Sequence, residues 1–230
     1  QATASATIQV VPPPVIASFT ADASAIPAGT STVLRPMFLN GTGVISPGVG
    51  AVTSGGAYAV VPATTTTYTL AVTNAAGTVV TATATVEVVG IQSFTASPGI
   101  ITLGGQSVLA PVFGGGTGTI TPGVGTVSSG DSIPVSPTRD TTYTLTVSHA
   151  SGLTATATAT VRVVAAPSIQ TFTASPNPLT LGQSATLTPV FTGGTGAIAP
   201  NVGPVTSGQG YALSPIQTTT YTLTVTNAAG

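Results

Sequence analysis

The chain repeats the same short phrases three times at nearly constant spacing. SFTA occurs at 18–21 and 93–96 and TFTA at 171–174, so successive copies are 75 and 78 residues apart. The same offsets relate three further sets of landmarks: Phe38, Phe113 and Phe191; the GTG triplets at 41–43, 116–118 and 194–196; and Tyr68, Tyr143 and Tyr221. A unit of about 76 residues is too long for one coil of a solenoid and matches a small independent domain. The sequence therefore predicts three tandem domains.

Within each unit the apolar residues alternate with polar ones over short runs bounded by Gly, Pro, Ser and Asn. This period of two is that of half-buried β-strands, and helical periodicity is absent. In the first unit the pattern predicts strands near 16–21, 31–39, 43–46, 51–54, 57–61, 66–73 and 79–89. Seven short strands separated by turn signals are typical of a β-sandwich.

Composition excludes most chemistry. The charged fraction is 3%, the formal net charge is -1, and the chain has one His and no Cys. Without cysteine there is no disulfide, thiolate nucleophile or Cys-ligated metal, and one imidazole cannot build a multi-His metal site. Three arginines and no lysine cannot neutralise a run of phosphates, and no apolar run reaches the ~18 residues of a membrane span. We predict no enzyme activity, no catalytic, cofactor-binding or metal site, no nucleic-acid partner and no transmembrane segment.

The few ionisable side chains have structural interpretations. His149 falls in the turn 149–152, where the other units have Asn74 and Asn227, and is interpreted as a turn residue tolerant of unusual backbone angles. Arg139 and Asp140 are predicted to form a local surface ion pair. The remaining carboxylates, Asp22, Glu87 and Asp131, are scattered through the repeats and form neither a catalytic pair nor a calcium cluster.

Glycan attachment is a hypothesis from two local patterns. Asn40-Gly41-Thr42 fits an N-glycosylation sequon, and the threonine tracts at 64–67 and 218–220 are possible acceptors of O-linked sugar. Strand propensity offers the other explanation of those tracts.

Each repeat carries one tyrosine near the start of its predicted sixth strand. Sandwich domains often place a tyrosine there whose hydroxyl bonds back to an upstream loop, so Tyr68, Tyr143 and Tyr221 are predicted to be structural tyrosines. Two residues later, where a disulfide-bearing immunoglobulin domain has its second cysteine, the chain has leucine at 70, 145 and 223.

Two long phrases carry a family resemblance. TFTASPNPLTLGQSATLTPVF at 171–191 and PIQTTTYTLTVTNAAG at 215–230 resemble the bacterial immunoglobulin-like (Big-type) repeats that occur in tandem in secreted and surface proteins. The resemblance implies an all-β fold of three tandem immunoglobulin-like sandwiches in an elongated array. It also implies an extracellular location at a bacterial cell surface, with a spacing or mechanical role.

The repeat register leaves one strand spare and one strand missing. Residues 2–11 (ATASATIQVV) correspond to the seventh strand of a unit, with Ile8 aligned to Val86 and Val161. Residues 227–230 align with 74–77, the turn that precedes that strand. The predicted division is therefore a terminal strand at 1–11, complete repeats at 12–90 and 91–165, and a third repeat at 166–230 that lacks its final strand.

Two interpretations of this register stay open. In one, the assembly strand carrying Ala4, Ala6, Ile8 and Val10 is donated to the third repeat of another copy, giving head-to-tail association. In the other, the 230 residues are a window on a longer array that supplies the strand covalently. Both predict a structural component of an extracellular filament, sheath or stalk, with copies of the chain as partners and lateral packing favoured by low charge. The alternative function is the stalk of a surface adhesin whose binding domain lies outside this segment.

Overall fold

The computed structural model describes all 230 residues and contains strands and turns only. In the first repeat the strands are β1 (Val15–Ala21), β2 (Ala25–Pro27), β3 (Thr32–Leu39), β4 (Thr42–Ser46), β5 (Gly50–Val52), β6 (Tyr58–Val60), β7 (Thr66–Thr73) and β8 (Val79–Ser97). The second repeat continues with β9 (Ile100–Thr102), β10 (Ser107–Gly114), β11 (Thr117–Thr121), β12 (Gly125–Val127), β13 (Ile133–Val135), β14 (Thr141–Ser148) and β15 (Thr154–Val164). The third has β16 (Ser168–Ser175), β17 (Ala185–Thr192), β18 (Thr195–Ala199), β19 (Gly203–Val205), β20 (Tyr211–Leu213) and β21 (Thr222–Thr226). The all-β prediction is confirmed.

The residues group into two compact units whose boundaries do not coincide with the sequence repeats. One unit contains Gln1–Phe94, Pro111–Asp131 and Thr144–Ala157, and the other contains Thr95–Ala110, Ser132–Tyr143 and Thr158–Gly230. The division into three domains at 12–90, 91–165 and 166–230 therefore stays a prediction.

The strands of the first repeat form two sheets that enclose one core. Strand β3 pairs antiparallel with β1 and β6, while β4 pairs with β5 and β7. Strand β8 pairs antiparallel with β7 and then runs parallel to β2. Side chains alternate along the strands, so every second residue of β3 and β7 is buried. Leu34 and Phe38 from one sheet pack with Ile45, Leu70 and Val86 from the other. This is an immunoglobulin-like sandwich, as predicted.

Equivalent pairings recur in the second and third repeats. Strand β17 pairs with β16 and β20, β18 pairs with β19 and β21, β10 pairs with β13, and β9 runs parallel to β15. The core of the third repeat is small. Its buried apolar side chains are Leu187, Phe191, Ile198 and Leu223.

The predicted strands of the first repeat differ from the structure at two places. Strand β2 was not predicted, because three residues ending in proline give no alternation to detect and the strand exists only beside β8. The seventh strand, predicted at 79–89, continues to Ser97 as β8. Both differences arise from pairing partners that a local sequence pattern does not contain.

The GTG triplets bring the backbone against two different neighbours. A Cβ at the first glycine, Gly41, would lie 2.7 Å from the Thr73 carbonyl oxygen on β7. A Cβ at the second glycine, Gly43, would lie 2.6 Å from the ring of Phe38, and the same crowding occurs at Gly118 and Gly196. The second glycine belongs to a strand rather than a turn, so its role is to give the phenylalanine ring room in the core.

This packing predicts a large effect from one methyl group. We expect Gly118→Ala to lower the free energy of unfolding by about 1–3 kcal/mol, because the new Cβ overlaps the Phe113 ring. The matched control is Gly99→Ala, whose Cβ has no neighbour closer than 3.8 Å, with an effect within about 1 kcal/mol. Urea unfolding of the two variants measures both changes, and equal destabilisation by the two would contradict the packing role.

Candidate assembly site

In the first two repeats the seventh strand fills a groove between the sixth strand and a short parallel strand. Strand β8 pairs with β7 in a register that sets Tyr68 opposite Ala84 and Thr66 opposite Val86, and it pairs with β2 through Val88 opposite Ile26. In the second repeat β15 pairs parallel with β9 in the same way. Val86 and its counterpart Val161 are fully buried, so the inward side chains of the seventh strand are core residues.

Two threonine pairs mark the outer face of this strand pairing. The hydroxyl oxygens of Thr67 and Thr85 lie 2.9 Å apart in the first repeat, and those of Thr142 and Thr160 lie 2.9 Å apart in the second. The sixth and seventh strands are therefore tied by a cross-strand hydrogen bond at one fixed position of the register.

The loop before the sixth strand supplies a further acceptor. The Val88 N–H donates to Thr65 Oγ1 at 3.1 Å, and the Val163 N–H donates to the Asp140 carboxylate at 2.7 Å. Asp140 thus accepts a seventh-strand N–H in the second repeat, as its counterpart Thr65 does in the first. The predicted ion pair between Arg139 and Asp140 is wrong, because the Asp140 carboxylate is turned to the strand and Arg139 has no ionic partner.

In the third repeat the same groove is open. A cavity of about 410 Å³ lies where the seventh strand stands in the other two repeats, and Leu179, Leu181, Leu213, Ile216 and Tyr221 are among its lining residues. Leu181 is 73% exposed and Ile216 is 86% exposed. Polar side chains, Asn177, Gln217 and Thr218 among them, line the groove together with these apolar ones, and the edge of β21 on this side is unpaired.

The local structure around the groove is shortened to match. Strand β21 has five residues, whereas its counterparts β7 and β14 have eight. Residues 178–180, the counterpart of β2 and β9, form no strand, because the partner of that strand is missing. Tyr221 is half-buried, in contrast to the buried Tyr68 and Tyr143. Residues 166–230 contain six strands and no counterpart of β8 or β15.

The predicted assembly strand is unpaired in this single chain. Residues 1–11 form no strand, and Ala4 and Ala6 are exposed. Ile8 and Val10 are each 88% exposed. Docking of this strand stays a prediction.

The structural tyrosines differ from expectation in their hydroxyls. Tyr68 and Tyr143 are core residues, and burial raises the pKa of both phenols, but neither hydroxyl, nor that of Tyr221, forms a hydrogen bond. The loop-tying bond belongs to two tyrosines that the sequence analysis missed. The Tyr58 hydroxyl accepts the Thr53 N–H at 2.6 Å, and Tyr211 holds Thr206 in the same way.

In the second repeat an acid replaces that tyrosine. Ile133 stands at the position of Tyr58, and the Asp131 carboxylate accepts the Ser128 N–H at 2.7 Å instead. Tyr58 and Tyr211 keep the repeat spacing in the sequence. The second repeat has Ile133 at this position, so the tyrosine occurs in only two of the three repeats and does not stand out as a repeat landmark.

One loop position contacts the segment entering each repeat. The Asn74 side chain donates to the Pro12 carbonyl at 2.9 Å, and Asn227 donates to the Ala165 carbonyl at 2.9 Å, each 62 residues back along the chain. His149 occupies this position in the second repeat, and its Nε2 lies 2.8 Å from Glu87, again 62 residues back.

The tautomer of His149 follows from its second contact. The Ser151 N–H donates to Nδ1 at 3.0 Å, so Nε2 carries the proton that faces Glu87. His149 does lie in a turn, closed by the Gly152 N–H, but the positive φ there belongs to Gly152 (87°). His149 itself does not adopt the unusual backbone angles that the sequence predicts for it.

Every carboxylate has a structural partner. Asp22 forms a bidentate pair with Arg35 at 2.6 and 2.8 Å, and this hydrogen-bonded guanidinium lowers the pKa of the carboxyl. Glu87, Asp131 and Asp140 hold His149, a loop N–H and a strand N–H, as described above. No three His, Asp or Glu side chains cluster in the geometry of a metal site. No helix of a length and hydropathy that would span a membrane is present.

The sequon asparagine is engaged with the backbone. Asn40 has φ 61°, where the other repeats have Gly115 and Gly193 in the same left-handed region, and its side chain donates to the Pro13 carbonyl at 3.0 Å. A turn role therefore accounts for this residue. Glycan attachment stays a hypothesis.

No protein-family model and no curated protein matches the chain. Among solved structures it is similar to the N-terminal eight Ig domains of Down Syndrome Cell Adhesion Molecule isoform 1.30.30, with 16% identity and a TM-score of 0.39, covering 85% of this chain and 35% of that one. Drosophila OTK extracellular domains 3–5 give 11% identity and a TM-score of 0.42, covering 86% and 83%. A 1.5-MDa bacterial ice-binding adhesin gives 17% and 0.29, covering 89% and 84%.

The first of these solved chains is much longer than the present one, which spans about a third of it. At such identities and TM-scores the similarities carry no argument about function. The immunoglobulin-like assignment rests on the strand pairing itself.

The contact between His149 and Glu87 predicts a measurable coupling. In a double-mutant cycle of Glu87→Gln and His149→Ala we expect a coupling energy of about 0.5–1 kcal/mol, since Glu87 is half exposed. Arg162→Gln is the matched control, because Arg162 stands at the Glu87 position of the second repeat without an ionic partner. Urea unfolding gives the energies; additive effects of the two substitutions would contradict the contact.

Proposed function

We propose that this chain is a structural unit of an extracellular filament, sheath or stalk at a bacterial surface, in which immunoglobulin-like sandwiches are joined by completing strands. The open groove of the third repeat is the observation that carries this proposal. The groove has the shape left by one missing strand, and the first two repeats show what such a strand contributes when present.

The energetics favour an occupied groove. A groove lined in part by apolar side chains and bordered by the unpaired edge of β21 is a site for strand addition, since pairing satisfies backbone groups and burial removes apolar surface from water. The inward valines of β8 and β15 are each worth about 1.5–3 kcal/mol when buried. The third repeat forgoes this contribution while its groove is empty.

The surface chemistry suits mechanical contact rather than catalysis. The carboxylates and the imidazole are engaged in structural contacts, and with 3% charged residues the exposed strands carry almost none of the charges that oppose edge pairing. We therefore expect such a chain to contact its partners through strand edges and uncharged surfaces.

The completing strand has two possible sources, which correspond to two forms of the same role. A strand supplied by following sequence would make the repeats part of a covalent stalk, including the stalk of an adhesin. A strand supplied by another copy would make a non-covalent filament.

A covalent extension tests whether the groove accepts a seventh strand. We expect a copy of the Leu153–Val163 segment, appended after Gly230, to raise the free energy of unfolding of the third repeat by about 3 kcal/mol or more, because its valines re-enter the core. The gain is measured by urea denaturation, with amide hydrogen exchange in β21 as the probe of the third repeat.

The control for this extension carries aspartate at the two appended positions that copy Val161 and Val163. These charges cannot enter the groove without large cost, so the control is expected to leave the third repeat unchanged. The proposal fails if the unmodified extension gives no more stability than its control.

A further inference from the structure

We infer that each repeat holds the chain that enters it at one fixed point, so that the joints between successive repeats are fixed connections and not free hinges. Two loops of the repeat, which we call the joint clasp, make this contact. They carry Asn40 and Asn74 in the first repeat, Gly115 and His149 in the second, and Gly193 and Asn227 in the third. The inference rests on the proposed function, because it names the residues that would transmit load between repeats of a filament or stalk.

The clasp contacts have the same sequence separation in all three repeats. One set comes from the turn after the sixth strand and reaches 62 residues back: Asn74 to Pro12, His149 to Glu87 and Asn227 to Ala165. The other set comes from the loop before the GTG triplet and meets a carbonyl 27 residues back: Asn40 to Pro13, Gly115 to Val88 and Gly193 to Ala166. The two loops of each repeat therefore hold two consecutive residues of the entering chain.

Glycine in the second set lets two backbones touch. Gly115 and Gly193 have φ 69° and 76°, and a Cβ at either residue would overlap the carbonyl oxygen of Val88 or Ala166. Asn40, at the same position of the first repeat, has φ 61° and donates from its side chain to the entering chain at 3.0 Å. Each repeat thus covers the same carbonyl, either by direct packing or by a hydrogen bond.

The two loops of the clasp also contact each other, through the first glycine of each GTG triplet. A Cβ at Gly116 would lie 2.7 Å from the carbonyl oxygen of Ser148, the residue before His149. The same close approach joins Gly41 to Thr73 and Gly194 to Thr226. The clasp is therefore one structure made of two loops, and a side chain at this glycine would separate them.

The clasp closes at the same point of both joints although the joints differ in length. The three extra residues of the longer repeat spacing lie between Val161 and Thr171, in the second joint. In the first joint the held pair, residues 87–88, lies inside β8. In the second joint the held pair, residues 165–166, lies beyond the end of β15. The following repeat therefore sets the position of the clasp, and the length of the joint does not.

Both joints are bridged by a side chain that reaches the preceding repeat. His149 of the second repeat contacts Glu87 in the seventh strand of the first. Asn227 of the third repeat, besides its contact with the entering chain, donates to Thr102 Oγ1 at 2.9 Å, and Thr102 lies on β9 of the second repeat. Opening either clasp would therefore remove a contact from the repeat that precedes it.

The compact units of the structure agree with fixed joints. Residues 1–94 group with 111–131 and 144–157, and residues 158–230 group with 95–110 and 132–143. The boundaries between the units fall within the second repeat. The contacts of each clasp lie inside one unit, so neither joint is a division between compact units.

Amide hydrogen exchange tests the clasp through its effect on the neighbouring repeat. Gly193→Ala places a methyl group against the Ala166 carbonyl and should open the second joint. We expect this substitution in the third repeat to speed exchange about tenfold at the amides of Leu103 and Val163 in the second repeat, because their hydrogen bonds hold β9 and the end of β15 beside the joint.

The matched control is Gly208→Ala. Gly208 also lies in the third repeat with a positive φ of 80°, but a Cβ there has no neighbour within 4 Å. Its strain should stay within the third repeat, so exchange at Leu103 and Val163 is expected to remain within about twofold of the native rate. Rates at these two amides that are unchanged in both variants, or equally raised in both, overturn the inference.

A conservative substitution tests the other loop and keeps the inference falsifiable if Gly193→Ala does not fold. In Asn227→Asp the carboxylate can still accept the Ala229 N–H of the turn, but it has no N–H to donate to the Ala165 carbonyl. We expect about fivefold faster exchange at Leu103. Asn201→Asp makes the same change in the exposed turn between β18 and β19 and should leave Leu103 unaffected. Equal rates at Leu103 in the two aspartate variants would contradict the clasp.

The outcomes separate this inference from the proposed function. If the clasp variants leave the second repeat unaffected while the appended Leu153–Val163 segment stabilises the third repeat, the proposed function stands and the joints are free hinges. If the appended segment gives no gain in stability, the proposed function fails whatever the exchange rates at the joint are.

Discussion

The structure depends on the seventh strand of each sandwich, which holds the sixth strand on one side and a three-residue parallel strand on the other. Its valines are core residues, and its backbone satisfies two strand edges at once. Residues 166–230 contain no such strand, and there the sixth strand has five residues, residues 178–180 form no strand and Tyr221 is half-buried. The seventh strand thus joins the two edges of the sandwich in each of the two repeats that contain it.

Much of the fold was predictable because repetition supplies three readings of one pattern. The alternation around Leu34, Leu70 and Val86 identified the sandwich strands. The parallel strand at Ala25–Pro27 was not predictable, because its existence depends on pairing with residues some sixty positions later rather than on its own sequence. The continuation of β8 beyond residue 89 to Ser97 was not predictable for the same reason.

The strand pairing around the groove was predictable in outline, but its polar contacts were not. The alignment of residues 2–11 with a seventh strand follows from counting and stays a prediction, whereas the hydrogen bonds around the seventh strands of the first two repeats needed coordinates. Asp140 illustrates the limit: its position next to Arg139 suggests an ion pair, yet it accepts the Val163 N–H, as Thr65 accepts the Val88 N–H in the first repeat. Likewise the tyrosines at 58 and 211, not the buried ones, tie the loops, because a hydroxyl on the rim reaches backbone that a core phenol cannot.

The most direct measurement is amide hydrogen exchange of the three sixth strands within one sample of a chain lacking residues 1–11. We expect protection at Leu70 and Leu145, since both strands are paired on two sides, and much faster exchange at Leu223, which slows when a copy of the Leu153–Val163 segment is appended after Gly230. Equal protection of all three leucines without the appended segment would contradict the role given to the seventh strand.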